Sequence, residues 1–299
     1  MSDQATALRQ LIQQTRTKVA IPRKDKPKAR TIAVCSGKGG VGKSVLALNL
    51  GVALAQQGCR VCLLDANLGL SNLDLLCGLN GYWNLAHVVT GARTLEQILL
   101  QGPEGLDLVP GASGIVDLAD SPPSAHQHIL EQMEQLESGH DFLIVDTGTG
   151  IHRPVRAFAE SADLVLVVTT PEPTAIADAY ATVKSLATQS LTSQRVLPVQ
   201  VLVNQVKSSQ QARRIYERME QTSRIFARRE VGYAGFVPAD PSVPDSVIRR
   251  QPFVVAFPDR PASLAVKKIA VQLRGLRVDE ERPETFFSRL WNHFTNRAA

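Results

Sequence analysis

Between residues 31 and 238 the chain repeats one unit: a short run with almost no polar residue, followed by a segment with helical spacing. The runs are "TIAVCS", "RVCLLDA", "LDLVPG", "FLIVDTG", "LVLVVTT", "VQVLVN" and "YAGFVP". A strand with one face in water alternates polar and apolar residues, so a nearly continuous apolar strand is covered on both faces. Strands of that kind separated by helices give an α/β domain with a mostly parallel twisted sheet and helices on both sides. "SVLALNLGVALAQQG" is such a helix, and Gly58 is placed to end it. The last helix of the domain is expected at 261–276, "PASLAVKKIAVQLRGL".

These limits divide the 299 residues into an N-terminal amphipathic element at 1–14, a basic linker at 15–30, the domain at 31–276, and a linker with a C-terminal amphipathic helix at 277–299. The 15–30 linker carries seven Lys/Arg against one Asp, with two prolines, and cannot build a core. Apolar runs such as "LVLVVTT" fall short of the roughly 18–20 residues that span a bilayer. The N-terminus has no apolar segment of signal-peptide type. A net charge of +5 permits acidic partners without identifying one. Cysteines at 35, 59, 62 and 77 fit a reducing compartment, and Cys59 and Cys62 read as small hydrophobes at the start of a buried strand.

The chemistry begins at "GKGGVGKS", residues 37–44, between the first strand and the first helix. It fits G-x-x-x-x-G-K-[ST] through Gly37, Gly42, Lys43 and Ser44. Such a loop wraps backbone N–H groups around phosphate oxygens, and the helix N-terminus adds partial positive charge. Gly39, Gly40, Val41 and Val45 complete the cradle. Lys43 is placed to reach the β/γ-phosphates and Ser44 to hold Mg²⁺. Two acids, Asp65 and Asp146, end apolar runs.

The second lysine of the loop, Lys38, gives the form K-G-G-x-G-K-[ST], which resembles the deviant Walker motif of the family that includes MinD and ParA. The resemblance implies that Lys38 crosses a homodimer to the partner's ATP, and that Asp65 and Asp146 serve the Mg²⁺ shell. It extends along most of the chain. "LLDANLGLSNLDLLCGL" and "FLIVDTGTGI" resemble the family's two switch regions, "VLVNQV" puts Asn204 where relatives recognise adenine, and "GFVPADPSV" supplies the next loop around Pro238. "TTPEPTAIADAYATVK", "AFPDRPASLAVKKIA" and the opening "DQATALR" are most similar to the flagellar-number regulators of FlhG/FleN type. That resemblance implies that Asp3, Gln4, Leu8 and Arg9 contact and stimulate an SRP-type GTPase, FlhF. It also implies flagellar switch (C-ring) proteins or an enhancer-binding transcription activator as partners.

One position departs from the pattern. Relatives read D-x-D-x-G after the second strand, where this chain has "DANLG", so Asn67 replaces the acid that orients the attacking water. Losing a general base costs about 10²–10⁴-fold. Phosphoryl transfer depends chiefly on positioning and electrostatics, so slow hydrolysis is the expectation.

The C-terminal segment aligns Phe286, Phe287, Leu290, Trp291 and Phe294 on one helical face. Such a face docks on its own domain or lies in a membrane interface, and the second is expected here, as in MinD-type and FlhG-type tails. The protein is then cytoplasmic and reversibly peripheral at the inner face of the cell membrane, on phospholipid. Six arginines crowd 213–229, read as a solvated, partly salt-bridged helix face in preference to a DNA-binding one. The competing functions are a ParA-like DNA-partitioning ATPase, in which those arginines matter, and a MinD-like division-site regulator.

Overall fold

The computed structural model describes residues 28–67, 72–111, 123–190, 196–276 and 284–295. Eight strands form one sheet in the order β3-β4-β2-β5-β1-β6-β7-β8. They are β1 (Arg30–Ser36), β2 (Val61–Ala66), β3 (Leu100–Gln101), β4 (Asp107–Val109), β5 (Phe142–Thr149), β6 (Leu164–Thr169), β7 (Val199–Val206) and β8 (Gly232–Pro238). All pairings are parallel except β3 with β4 at the edge. The expected doubly covered α/β sheet is therefore present, with an antiparallel edge strand that the sequence did not suggest.

The reason for the continuous apolar runs is visible strand by strand. Ala33, Cys35, Cys62, Leu64, Leu143, Val145, Val165 and Val167 point into the core on one face. Their neighbours Ile32, Val34, Val61, Leu63, Phe142, Ile144, Leu164 and Leu166 point into the core on the other. Side chains alternate between faces in a strand, so two cores require both registers to be apolar.

The helices are α1 (Lys43–Ala55), α2 (Leu73–Leu76), α3 (Leu85–Val89), α4 (Leu95–Ile98), α5 (Pro123–Gly139), α6 (Arg153–Ser161), α7 (Pro173–Ser190), α8 (Ser209–Thr222), α9 (Ser242–Ile248), α10 (Phe253–Ala256), α11 (Pro261–Gly275) and α12 (Phe286–Thr295). A π-turn, Ser223–Ala227, extends α8. Helix α1 is buried from Leu46 to Leu54, packed between the sheet and α11, which explains why it is apolar nearly all round. Its one interior amide is satisfied: Asn49 Nδ2 donates to the Val45 carbonyl at 2.8 Å and Asn49 Oδ1 accepts from the Val254 N–H at 3.0 Å. Gly58, at φ +81°, reverses the chain after α1, and its N–H donates to the Ala55 carbonyl at 2.9 Å.

The C-terminal helix α12 lies against α5 and α6. Phe286, Phe287, Leu290 and Phe294 are buried there, with Trp291 half-buried beside them. The face expected to meet lipid thus meets the protein's own surface, because α5 and α6 offer an apolar floor including Phe158, Ile129 and Met133. Polar contacts fix the register. Glu137 accepts the Phe286 N–H at 2.9 Å, and Glu134 accepts from the Thr285 and Ser288 hydroxyls at 2.9 and 2.6 Å. Arg289 pairs with the buried Asp163 at 2.9 Å and donates to the Ser161 carbonyl at 2.8 Å. Among the described residues no helix is long and apolar enough to cross a membrane.

Candidate functional site

Parallel strands bring their C-terminal ends to one edge, and the loops leaving them there share a crevice. The loop from β1 to α1 is at its centre. Its backbone needs glycine at two points, Gly40 (φ +81°) and Gly42 (φ +86°), where a side chain on the residue is strained. Gly37 is needed for a different reason: a Cβ there would stand 2.2 Å from the Asp178 carbonyl oxygen, so the backbone of α7 lies directly on the loop. A Cβ on Gly42 would meet Asn204 Nδ2 at 2.5 Å. Gly39 meets nothing and is exposed, while Val41 is buried beneath the loop. Helix α1 has no side-chain cap on its first amides, which leaves them with Val45 and Ser44 at the open N-terminus. That arrangement suits an anion.

The two lysines have different fates. Lys43 is 6% exposed and its Nζ lies 2.6 Å from Asp146 Oδ1, with Ser44 Oγ accepting a further bond at 3.2 Å. Burial pushes the Asp146 carboxyl up, while the Lys43 charge and the Lys43 and Ser44 hydrogen bonds hold it down. Lys38 is 33% exposed at the rim, where it is ion-paired with Glu172 and donates to Thr174 Oγ1 at 2.8 Å. The Lys38 and Thr174 bonds keep the Glu172 carboxyl below the usual range.

Register places the two acids together, since Asp65 of β2 stands opposite Asp146 of β5. Asp65 has a task the sequence did not reveal. Its carboxylate accepts the N–H groups of Asn67, Asn72 and Leu73 at 3.2, 3.1 and 3.2 Å, holding both ends of the chain that leaves β2. Asn67 is half-buried, and a Cβ on Gly148 would come within 3.7 Å of Asn67 Oδ1. The two sequence stretches that resemble switches are therefore neighbours, with Gly148 facing the side chain of Asn67.

Asn204, which the resemblance assigns to adenine, lies against the phosphate loop: its Nδ2 donates to the Val41 carbonyl at 2.8 Å, and Gln205 beyond it takes φ +58°. Pro238 closes β8 beside Val206. Glycines 37 to 42, Lys38, Lys43, Ser44, Asp65, Asn67, Asp146 and Asn204 thus form one site. The N-terminal candidates Asp3, Gln4, Leu8 and Arg9 lie outside the described residues, as do residues 68–71. Glu172, Thr174 and Asp178 were missed; "TTPEPTAIADAYATVK" contained them, but only the fold brings α7 onto the loop. Cys62 is buried in β2, as read from the sequence. Among the described residues no three His, Cys, Asp or Glu side chains gather as a metal cluster. The oxygens available to a cation here are those of Ser44 and of the Asp65–Asp146 pair. Hard oxygen donors next to a phosphate cradle fit Mg²⁺.

Comparison with known proteins agrees with this geometry. Residues 32–253 match the model of the CobQ/CobB/MinD/ParA nucleotide binding domain. The chain is 39% identical to the antiactivator FleN of Pseudomonas aeruginosa over 242 residues, covering 81% of this chain and 85% of that protein. It is 32% identical to the flagellum site-determining protein YlxH of Helicobacter pylori over 275 residues, 89% of this chain and 91% of that one. Among solved structures, the MinC:MinD cell division complex of Aquifex aeolicus superposes with a TM-score of 0.65 at 28% identity, over 85% of this chain and 99% of that chain.

Proposed function

Because the chain belongs to the CobQ/CobB/MinD/ParA nucleotide-binding family, we propose that it is an ATP-dependent, dimerising regulator of flagellar number or placement with slow hydrolysis. The observation that carries this reading is the separation of the two lysines: Lys43 is buried on Asp146, whereas Lys38 waits at the open rim on an exposed glutamate. A phosphate-binding loop is served by one lysine. A second at the rim serves a site outside its own subunit.

When ATP enters, Lys43 leaves Asp146 for the β/γ-phosphates, and the first amides of α1 donate hydrogen bonds to the phosphate oxygens. Asp146 and Ser44 are then available to Mg²⁺, which offsets charge between the phosphates. Asp65 keeps its backbone bonds and so holds Asn67 in place. Asn67 orients water through its side-chain oxygen but cannot take a proton, so the ATP-bound state is long-lived. Lys38 exchanges Glu172 for the partner subunit's nucleotide. The dimer loosens α12, whose apolar face then binds phospholipid, and the protein moves between cytoplasm and membrane.

The name of the FleN relative suggests a transcription activator as partner; that of YlxH suggests the flagellar assembly site. Residues 1–14 supply the element proposed to stimulate FlhF. The ParA-like alternative would draw on the arginines of α8 and its π-turn, of which Arg213 and Arg224 make exposed pairs with Glu217 and Glu220 that cost little to exchange. The test is sedimentation velocity with ATP and Mg²⁺. The native protein dimerises, and Lys38→Ala binds nucleotide but stays monomeric. Dimerisation of Lys38→Ala would refute the proposal.

A further inference from the structure

The arginine-rich stretch is left unexplained by the nucleotide site. Its centre is the π-turn Ser223–Ala227, and a turn of this kind is uncommon and concentrates at functional positions. Here it exposes two large apolar side chains in succession, Ile225 (57%) and Phe226 (69%). Val196 is 85% exposed, and its neighbour Leu197 receives a hydrogen bond from Arg229, just beyond the turn. Three bulky apolar side chains therefore protrude from two segments that the Arg229–Leu197 bond ties together. Over 213–230, six arginines face Glu217, Glu220 and Glu230. Arg213 and Arg224 are paired with Glu217 and Glu220, while Arg214, Arg218 and Arg228 are exposed without an ion-pair partner among the described residues.

The location of this rim matters as much as its composition. The π-turn precedes β8 and Val196 precedes β7, so both stand at the edge where the parallel strands begin, opposite the phosphate loop. The tail is anchored at that same edge, by Arg289 on Asp163 just before β6. The two are neighbours: burial pulls the Arg229 guanidinium down while the Glu160 charge opposes it, and Glu160 lies 3.5 Å from His293 of α12.

We propose that Val196, Ile225 and Phe226, with Arg224 and Arg228, form a second contact for an anionic lipid surface, beside the tail helix and on the same edge of the sheet. It rests on the membrane reading of the tail given above. Apolar side chains flanked by arginine are the pairing that inserts at a headgroup boundary and is held there by negative charge. Duplex DNA would use the arginines and leave Phe226 and Ile225 in water. One amphipathic tail of ten residues binds marginally, and a second contact on the same rigid body adds its share by raising the effective concentration.

The test is co-sedimentation of the full chain, with ATP or ADP and Mg²⁺, on phosphatidylglycerol/phosphatidylcholine vesicles and on phosphatidylcholine alone. The native protein binds the anionic vesicles. Ile225→Ser with Phe226→Ser binds them about tenfold more weakly, and Arg224→Gln with Arg228→Gln loses about tenfold of the anionic preference. Both keep the native melting temperature and nucleotide affinity, since these side chains lie outside the core and the site. Phe226→Trp adds a fluorescence component that shifts blue on anionic vesicles only. The rim proposal fails, and the tail reading stands, if both double variants bind as the native chain does while Trp291→Ser binds weakly. Both fail if the native chain binds no vesicle with either nucleotide. Salt-sensitive binding to duplex DNA, lost with the arginine pair and indifferent to the serine pair, together with vesicle binding unchanged in both, also overturns the rim proposal.

Discussion

Replacing Glu137 by Gln should remove the contribution of Glu137 to the pH dependence of tail docking. Glu137 sits near the end of α5, accepts the Phe286 N–H and is 3% exposed beneath the start of α12. Burial pushes its carboxyl from 4.5 up to about 7, and the nearby Asp163 charge adds to this. The Phe286 and Phe287 N–H groups and Arg289 pull the other way and do not prevail. A carboxyl raised in the folded state binds a proton there that the open state has already released. Its contribution is complete below the open-state value and is lost as pH rises through the folded one. The window is therefore about pH 4.5 to 7, and docking weakens upward across it. At 1.36 kcal/mol per unit the loss is about 3 kcal/mol, an order of magnitude rather than a constant. For a chain of this size that corresponds to roughly 5 °C in melting temperature if unfolding is cooperative. Gln keeps a carbonyl oxygen for Phe286 and cannot ionise. The assay is thermal unfolding at pH 5, 6, 7 and 8, with Trp291 fluorescence as a local report. Native stability should fall relative to Glu137→Gln as pH rises. Parallel curves for the two proteins would refute the reasoning, because burial would then not be setting the protonation of Glu137.

Three further outcomes follow from the nucleotide site. Asn67→Asp restores a group that can take a proton, and ATP turnover by phosphate release should rise by about 10²-fold, the lower end of the range for a general base; equal rates would mean another group positions the water. Glu172→Gln removes the charge that parks Lys38 within its own subunit, so dimerisation should need less ATP in a sedimentation titration. The shift should be modest, because the pair is exposed. Gly37→Ala drives a methyl group into the Asp178 carbonyl and should cost about 1–3 kcal/mol in denaturant unfolding, together with affinity for a fluorescent nucleotide analogue.

The sheet was legible because β1, β2, β5 and β6 are buried on both faces, which leaves runs such as Leu164–Thr169 little room for polar side chains. The loop was legible because Gly40 and Gly42 must take positive φ and Lys43 must follow. The short edge strand β3 was not, since two residues leave no periodicity to read. The bonds of Asp65 to Asn67, Asn72 and Leu73 were hidden for another reason: an acid at a strand end looks alike whether it serves a metal or a backbone. Glu172 and Asp178 reach the loop only through the β6 to β7 crossover, a contact across more than a hundred residues of sequence.

The tail is the instructive case. The spacing of Phe286, Phe287, Leu290, Trp291 and Phe294 records only that one side of a helix avoids water, and protein or lipid satisfies it equally. What distinguishes them is polar detail around the face. Lipid asks nothing of Arg289, whereas the domain gives it Asp163, itself bound to the Thr31 N–H and hydroxyl at 2.8 and 2.7 Å at the start of β1. Glu134 and Glu137 receive the first turn of α12 in the same specific way. Such contacts belong to a helix built to dock. The same strand β1 runs from Thr31 to the phosphate loop, and α6 runs from the Gly148–Ile151 stretch beside Asn67 to Ser161, which holds Arg289. The proposed release of the tail therefore has two rigid elements, β1 and α6, through which the nucleotide site can act on it, beside the hydrophobic face itself.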